Sequence, residues 1–423
     1  MLGGRLSRLA PDWLFTYTGT ILLVALLVNL ATSFVQFSHS LTLPSMESSL
    51  DLSHTKAGLL ITVIAAVRMG SALVAGTLAP RYGSRVIISI GSVGVGGSML
   101  LLGYAQNYTG AVLAVALMGV ASGAALTPMM GLLSSWFRVQ DRGLAAGLAA
   151  TGGSVAFIFA GIAVPLFVDA DPLDGWRHSW RLFGVVVLFI GLISLAFIRE
   201  RPTPDNQIDP PHSEGPRRLQ HGGWPIPAFK SPMVWTIAFL AFTAGWSQNL
   251  FTTFFGVYLS QENDVSLSTV GQLVILMGVL SVGSGVLWGR MSDHIGRAQT
   301  FLYSFIIQAA AFALLSLVPG MGSFVTASIL MGITLRATYT VCAASSGDYV
   351  PVRFSAAAFA LMSVGASLGS TISPTLGGAV ADNLDMRWTF ALALCGSFAG
   401  TAGALFLQTR KPLSESVQPC PDP

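Results

Sequence analysis

A window of about 19–20 residues, the length of helix that crosses a hydrocarbon core, finds twelve apolar stretches in this chain. They run over 17–39, 57–79, 86–105, 109–133, 143–168, 181–198, 233–258, 268–289, 299–318, 323–347, 355–380 and 388–407. The pattern predicts an all-α membrane protein of twelve transmembrane helices. The first stretch lacks the compact cationic, apolar and cleavage-site order of a removable signal peptide, so it reads as the first span. Short polar connections separate the stretches, with one exception from Glu200 to Ser231 that carries Pro202, Pro204, Pro210, Pro211, Pro216, Gly222 and Gly223. Such a segment has little apolar surface to bury and reads as a cytoplasmic linker. The expected organisation is a six-helix half over 1–199, a linker over 200–231, and a second half over 232–423 with a short tail.

Polar residues inside the apolar stretches mark candidate chemistry. Arg68 and Arg336 each sit near the centre of a stretch. An arginine at mid-membrane costs roughly 2.5–3.5 kcal/mol on insertion scales, so it is retained for a function or for a structural pairing. A guanidinium offers a fixed fork of donors suited to a carboxylate, and these two arginines point to an anion. The alternative is that each bonds backbone carbonyls and holds helices together. Tyr339 and Thr340 follow Arg336 at helical spacing and share its face. Asn29, Thr32, Ser33 and Gln36 form a polar stripe on the first span; Trp246, Asn249 and Thr253 form one on the seventh, and Gln272 lies early in the eighth. Stripes of this kind line cavities or glue helices together, at about 1 kcal/mol per bond.

Composition removes the soluble alternatives: of 423 residues, 52% are apolar and only 10% charged, too few charges to cover a globular surface in water. The basic residues serve as topology signals. With both termini cytoplasmic, sixteen Lys and Arg fall on inner segments and four (Lys56, Arg177, Arg181 and Arg387) on outer loops. They do not cluster with aromatics, so no nucleic-acid partner is implied. Cys342, Cys395 and Cys420 have neither disulfide nor metal spacing, and no cofactor is expected. Asn107-Tyr108-Thr109 matches a glycosylation sequon, best read as chance in a short loop.

A shift of 213 residues places Gly76 on Gly289, Gly83 on Gly296, Leu117-Met118-Gly119 on Leu330-Met331-Gly332, and Gly152 on Gly365. One constant offset across four landmarks indicates an internal repeat, a common way of building secondary transporters. Within the repeat lies a duplicated turn: Gly76 to Arg85, and Gly289-Arg290-Met291-Ser292-Asp293-His294-Ile295-Gly296-Arg297. Its glycines allow positive φ and close helix approach, while Asp293 and the arginines can form charge pairs that hold one conformation shut.

These residues resemble the major facilitator superfamily, whose G-x-x-x-D-R-x-G-R signature is matched by Gly289, Asp293, Gly296 and Arg297. His294 stands where an arginine is usual. In the first copy Gly76, Gly83 and Arg85 remain but Pro80 replaces the aspartate, which puts that half's charge pair in question. Ser134-Ser135-Trp136-Phe137-Arg138, followed by Arg142-Gly143-Leu144-Ala145-Ala146-Gly147, is similar to the monocarboxylate and oxalate/formate carrier branch. The resemblance implies two pseudo-symmetric halves around a cavity lined mostly by spans one, four, seven and ten. It thereby places Arg336 in the cavity, with Arg68, Tyr339, Asn249, Gln36, Asn29 and Trp246 as further candidate substrate contacts. Gly76, Gly83, Arg85, Gly289, Asp293, Gly296 and Arg297 become the gating set.

The resulting expectation is a secondary active transporter of a small organic anion, working by alternating access as a monomer in a bacterial inner membrane. A proton is a candidate co-substrate. Glu47 and Glu262 fall at outer span ends and Asp348 at an inner one, and His39 is expected in an outer loop. Efflux of amphipathic drugs is the alternative within transport, although the fifth span has Gly152-Gly153-Ser154 where efflux branches carry a G-P pair. A ligand sensor would need an output domain that neither linker nor tail resembles. An enzyme would need a nucleophile and base set, a metal cluster or a phosphate loop, and none is recognisable. Phe251, Phe254, Phe255 and Tyr258 are expected to pack, and Gly143-x-x-x-Gly147, Gly285-x-x-x-Gly289 and Gly365-x-x-x-Gly369 to permit close backbone contact.

Overall fold

A backbone in lipid must satisfy its own N–H and C=O groups, which leaves apolar stretches without strand partners only the helix. The computed structural model is described over residues 16–137, 141–200, 230–345, 348–349 and 355–409, where helices are joined by short turns. The linker over 200–231 falls almost wholly outside the described residues, as do Arg138 and the ends of the chain.

The helices are α1 (Tyr17–Phe37), α2 (His39–Leu50), α3 (His54–Tyr82), α4 (Ser84–Gly103), α5 (Tyr108–Trp136), α6 (Arg142–Ala170) and α7 (Gly175–Phe197). They continue with α8 (Pro232–Val257), α9 (Leu267–Ile295), α10 (Arg297–Leu317), α11 (Met321–Thr334), α12 (Ala337–Ser345), α13 (Ser355–Asn383) and α14 (Met386–Gln408), with one π-helical turn at Tyr258–Glu262. Eleven segments among the described residues are long and apolar enough to span, α11 and α12 counting together as one. The 26-residue α8 is the remaining long helix.

Two expectations about continuity need correcting. The first span does not end in a loop near residue 39: helix resumes at His39 after Ser38 alone, and His39 is 1% exposed inside α2. The tenth span is interrupted at its middle, between Thr334 and Ala337. Of the three small-residue pairs, Gly365 and Gly369 meet the Ala238 and Phe242 carbonyls of α8 so closely that a Cβ would collide. Gly143 and Gly147 have no atom within 4 Å of such a Cβ, so that pair makes no close contact among the described residues.

The chain forms two compact units whose borders cut through helices: Met1–Gln36, Val67–Ala156 and Arg177–His221 make one; Phe37–Ala66, Phe157–Trp176 and Gly222–Pro423 make the other. In the first unit, Ile21, Val28, Ile88, Met129, Trp136 and Ala149 share a buried cluster drawn from α1, α4, α5 and α6. The last carbonyls of α4 and its exit are held from α7, where Arg181 Nε donates to Gly103 O at 2.9 Å and Arg177 Nε to Ala105 O at 3.0 Å. Cationic donors at a helix C-terminus also suit its dipole.

In the second unit, Ile237, Leu240, Phe301, Phe305, Met362 and Leu407 form the core of α8, α10, α13 and α14. Phe251, Phe254, Phe255 and Tyr258 are all buried, a packing role. Prolines shape this unit through the carbonyls they release, since a proline cannot bond to the residue four before it. Pro374 frees Ser370 O, which accepts Asn249 Nδ2 from α8. Pro44 and Pro165 free Ser40 O and Gly161 O, and in both cases a glycine, Gly256 or Gly271, sits directly against the freed oxygen where a Cβ would not fit.

Candidate functional site

Leu335 and Arg336 stand between α11 and α12 in the second unit. Leu335 keeps right-handed dihedrals (φ −55°, ψ −35°), so the interruption is local, and the ladder resumes where Thr340 N–H bonds Arg336 O at 3.1 Å. Neighbouring helices supply donors to the carbonyls at the break, as a broken membrane helix requires. Trp288 Nε1 of α9 donates to Ile333 O at 2.8 Å, and Ser284 Oγ donates to the same oxygen. Gln248 Nε2 of α8 donates to Leu335 O. Thr334 returns its own hydroxyl to Leu330 O at 2.8 Å.

Arg336 is half-buried as a residue, yet its Nη2 is shut off from solvent and has no acceptor among the described residues. A buried donor left unmade costs about 1–3 kcal/mol, more when charged. Its stem passes Gly285 of α9, where an added Cβ would lie 3.8 Å from Arg336 Cβ and 3.6 Å from Thr340 Oγ1. Gly289 faces Thr340 in the same way at 3.8 Å. The Gly285 and Gly289 pair thus sits along α12 and leaves space for the arginine. Tyr339 is 52% exposed and turned away from the packed face of α12, whose Ala337, Thr338, Val341 and Cys342 are buried.

The other expected contacts in this unit lie elsewhere. Asn249 is buried and directed at α13, and Trp246 donates Nε1 to Leu392 O of α14 at 3.3 Å while stacking on Phe242. The stripe read from the seventh span therefore meets helices, and the polar residue of α8 that reaches the break is Gln248. Spacing did not single out Gln248, Ser284 or Trp288; a lone glutamine mid-span was the signal available.

In the first unit, Arg68 is half-buried on α3, and its carbonyl, with Ser71 Oγ, lies hard against Gly123 of α5. Asn29 is buried on α1 and accepts Ser33 Oγ at 3.4 Å; Gln36 is half-buried.

The two turn motifs adopt one backbone. Gly83 (φ 88°) joins α3 directly to α4, and Gly296 (φ 91°) joins α9 directly to α10, a positive φ that favours glycine. Their charges differ. Arg297 bonds Asp293 at 2.7 Å, Ser292 Oγ at 2.8 Å and Asp348 at 3.1 Å. In the first copy, with Pro80 at the aspartate position, Arg85 donates Nε and Nη2 to Leu195 O at 2.9 and 2.6 Å instead. Among the described residues, a Cβ at Gly76 or Gly289 would meet only a threonine methyl, at 4.0 and 3.8 Å.

A family model described as Major Facilitator Superfamily matches residues 22–262 and 237–419. An oxalate:formate antiporter of Oxalobacter formigenes is 23% identical over 95% of this chain and 94% of that protein. A probable sulfoacetate transporter of Cupriavidus necator is 21% identical, over 87% of this chain and 88% of that one. Among solved structures, a bacterial homologue of the human lysosomal transporter Spinster, in an inward-facing and occupied conformation, matches with a TM-score of 0.73. It covers 96% of this chain and 99% of that chain at 17% identity, a likeness of fold.

Proposed function

From a chain that belongs to the Major Facilitator Superfamily, in its oxalate and anion-transporting branch, we propose a secondary carrier that moves a small, monocarboxylate-like organic anion by alternating access. The protein is a multi-pass membrane transporter and not an enzyme. The observation that carries the anion reading is the buried Nη2 of Arg336, without an acceptor among the described residues, at an interrupted helix. A carboxylate would satisfy that donor and neutralise the charge, and interrupted helices are a recurring way of building transporter sites. Arg68, Tyr339, Gln36, Asn29, Asn249 and Trp246 complete the proposed set, the last two acting through helix packing. The pairs around Gly289, Asp293, Gly296 and Arg297, with Gly76, Gly83 and Arg85, form the proposed gates. The carrier functions as a monomer in a bacterial inner membrane with both termini cytoplasmic, and a proton is its proposed co-substrate.

Alternating access requires that the anion bind the two states with different affinity. The test is uptake of labelled oxalate, lactate, pyruvate, a sugar acid and nitrate into proteoliposomes, with wild type and Arg336→Gln at matched reconstitution. Saturable uptake of one carboxylate, lost in the variant, is the expected result. Uptake that survives the substitution gives Arg336 a structural role, and dye efflux without anion uptake overturns the anion reading.

A further inference from the structure

Within the second unit, one end of the bundle gathers acidic groups from segments far apart in sequence. Glu47 of α2 is 5% exposed and its Oε1 lies 3.0 Å from Nδ1 of His54, the first residue of α3. Its Oε2 is buried and accepts no hydrogen bond among the described residues. Asp382, near the end of α13, accepts the His54 and Thr55 backbone N–H groups at 2.8 and 2.9 Å, and the Thr55 hydroxyl. Glu262, closing the π-helical turn, accepts Met386 N–H at the start of α14 at 2.8 Å, and Gln261 reaches Pro44 O at 3.3 Å. Residues 44–55 of the first sequence half are thus fastened to residues 261–386 of the second.

We propose that Glu47 and His54 form a proton-binding site tied to closure of this end: the proton is held while α2, α3, α13 and the π-helical turn are packed together, and is released when they part. The buried pair carries at most one negative charge in the packed state. Glu262 and Asp382 face it from the second sequence half; Asp385 and Arg387, beside Glu262, form an exposed ion pair at 2.8 Å that adds no net charge, and Lys56 is exposed on α3 two residues from His54. Excess negative charge around a buried acid and an imidazole favours keeping a proton between them. Burial raises the Glu47 carboxyl above the ordinary carboxylate range, opposed by the His54 bond, and burial likewise raises Glu262.

The sign follows from linkage. If the closed state holds the proton more tightly, acid favours closure and alkali favours opening. In the proposed topology this end faces outward, so a proton entering from outside would be released only as the end opens again. The proton thus returns to the side it came from, and the pair makes closure of this end depend on pH without carrying the co-substrate proton across. The inference rests on the carrier reading for the opening and closing of this end, but its structural test needs no substrate. Of the titratable residues expected near this end, His39 lies inside α2 and is not part of the pair.

The experiment is double electron–electron resonance on the full chain in nanodiscs, between spin labels at Ser48→Cys and Leu384→Cys, with Cys342, Cys395 and Cys420 replaced by alanine. Both labelled positions are exposed. From pH 5 to pH 8 a short-distance population is expected to give way to a longer one. Glu47→Gln with His54→Gln should abolish most of that shift, whereas Glu262→Gln should preserve it with its midpoint moved to lower pH. Distances independent of pH in the wild-type background would overturn the proposal, as would a full shift in the double variant. A pH shift with no anion uptake in proteoliposomes would keep the proton site while removing the anion reading.

Discussion

The fourth span is built twice, and only one copy is broken. α5 runs unbroken through Gly123, whereas its counterpart at the 213-residue offset divides into α11 and α12 at Arg336. Much else is kept. Ser71 donates to Gly119 O at 3.3 Å, and Ser284, its counterpart, donates to Ile333 O. What has moved is the glycine. In the first copy it sits on the fourth span, so that Gly123 presses against the Arg68 carbonyl and Ser71 Oγ. In the second it sits on the second span as Gly285, in place of Ala72, and a long side chain occupies the fourth. Small residues decide how near two membrane helices come. Exchanging the glycine across the contact converts a tight backbone crossing into room for an arginine stem, while the serine bridge is retained.

The strongest way to break this comparison is to remove the arginine. Arg336→Gln keeps a polar end but loses the charge and the fork, and saturable anion uptake should fall by about 30-fold or more, since breaking a buried hydrogen-bonded charge pair costs about 2–5 kcal/mol. Arg336→Lys should recover only part of it, because an ammonium cannot bind bidentately. Initial-rate uptake curves decide both, and wild-type-like kinetics in Arg336→Gln would remove the functional half of the contrast. The next effect is steric. Gly123→Val must push side-chain carbons into the Arg68 carbonyl and Ser71 Oγ, and overpacking of this kind costs about 1–3 kcal/mol. A lowered thermal midpoint in detergent is the expected outcome; an unchanged midpoint would mean that the two helices separate freely.

Sequence reading reached the architecture because its signals are redundant: each span needs about twenty apolar residues, and positional errors of a few residues leave the count intact. The turn glycines were also legible, since a signature at a fixed offset marks one backbone geometry, and Gly83 and Gly296 do share it. Arg336 stood out by its cost. The interruption beside it did not, because 323–347 contains no proline or charged residue other than Arg336 to announce a break. Helical periodicity assumes a continuous ladder, and here partners from α8 and α9 compensate for its loss. The same assumption hid Gln248: the polar stripe of α8 contained Asn249, whose donor goes to the carbonyl released by Pro374. A freed carbonyl is set by a proline on another helix, information that periodicity along α8 cannot contain. Likewise Glu47 and His54 are neighbours across a turn, but their acidic surroundings come from residues more than two hundred positions away.

A middle-sized effect sharpens the contrast between the broken and unbroken copies. Gln248→Leu removes the donor to Leu335 O with little change in volume. One hydrogen bond is worth about 0.5–1.5 kcal/mol, so KM should rise about 3–10-fold while kcat changes less, as expected if the residue positions Arg336 rather than touching the anion. Gln248→Glu, unable to donate when ionised, should show the same direction. Equal losses in kcat and in kcat/KM would instead place Gln248 in the transport step itself.

The smallest effects belong to the turns, where the comparison is between a charged fastening and a neutral one. Arg297 is held by Asp293, Ser292 and Asp348, but Asp293 is largely exposed and Asp348 nearly one-third exposed, so water and salt screen both pairs. Partly exposed ion pairs contribute about 0–1 kcal/mol, and Asp348→Asn should therefore change transport by about fivefold at most at low ionic strength. That change should shrink further toward 1 M salt, where the screening length falls to about 3 Å. The first copy sets the control. Arg85 is fastened to a carbonyl, Leu195 O, by two donors, so Asp348→Asn and Arg85→Gln should differ in their salt response even if their sizes match. Uptake rates of both variants from 20 mM to 1 M salt measure this. A salt-independent defect in Asp348→Asn would mean that the aspartate acts through hydrogen-bond geometry alone, and the two turns would then differ in partners but not in physics.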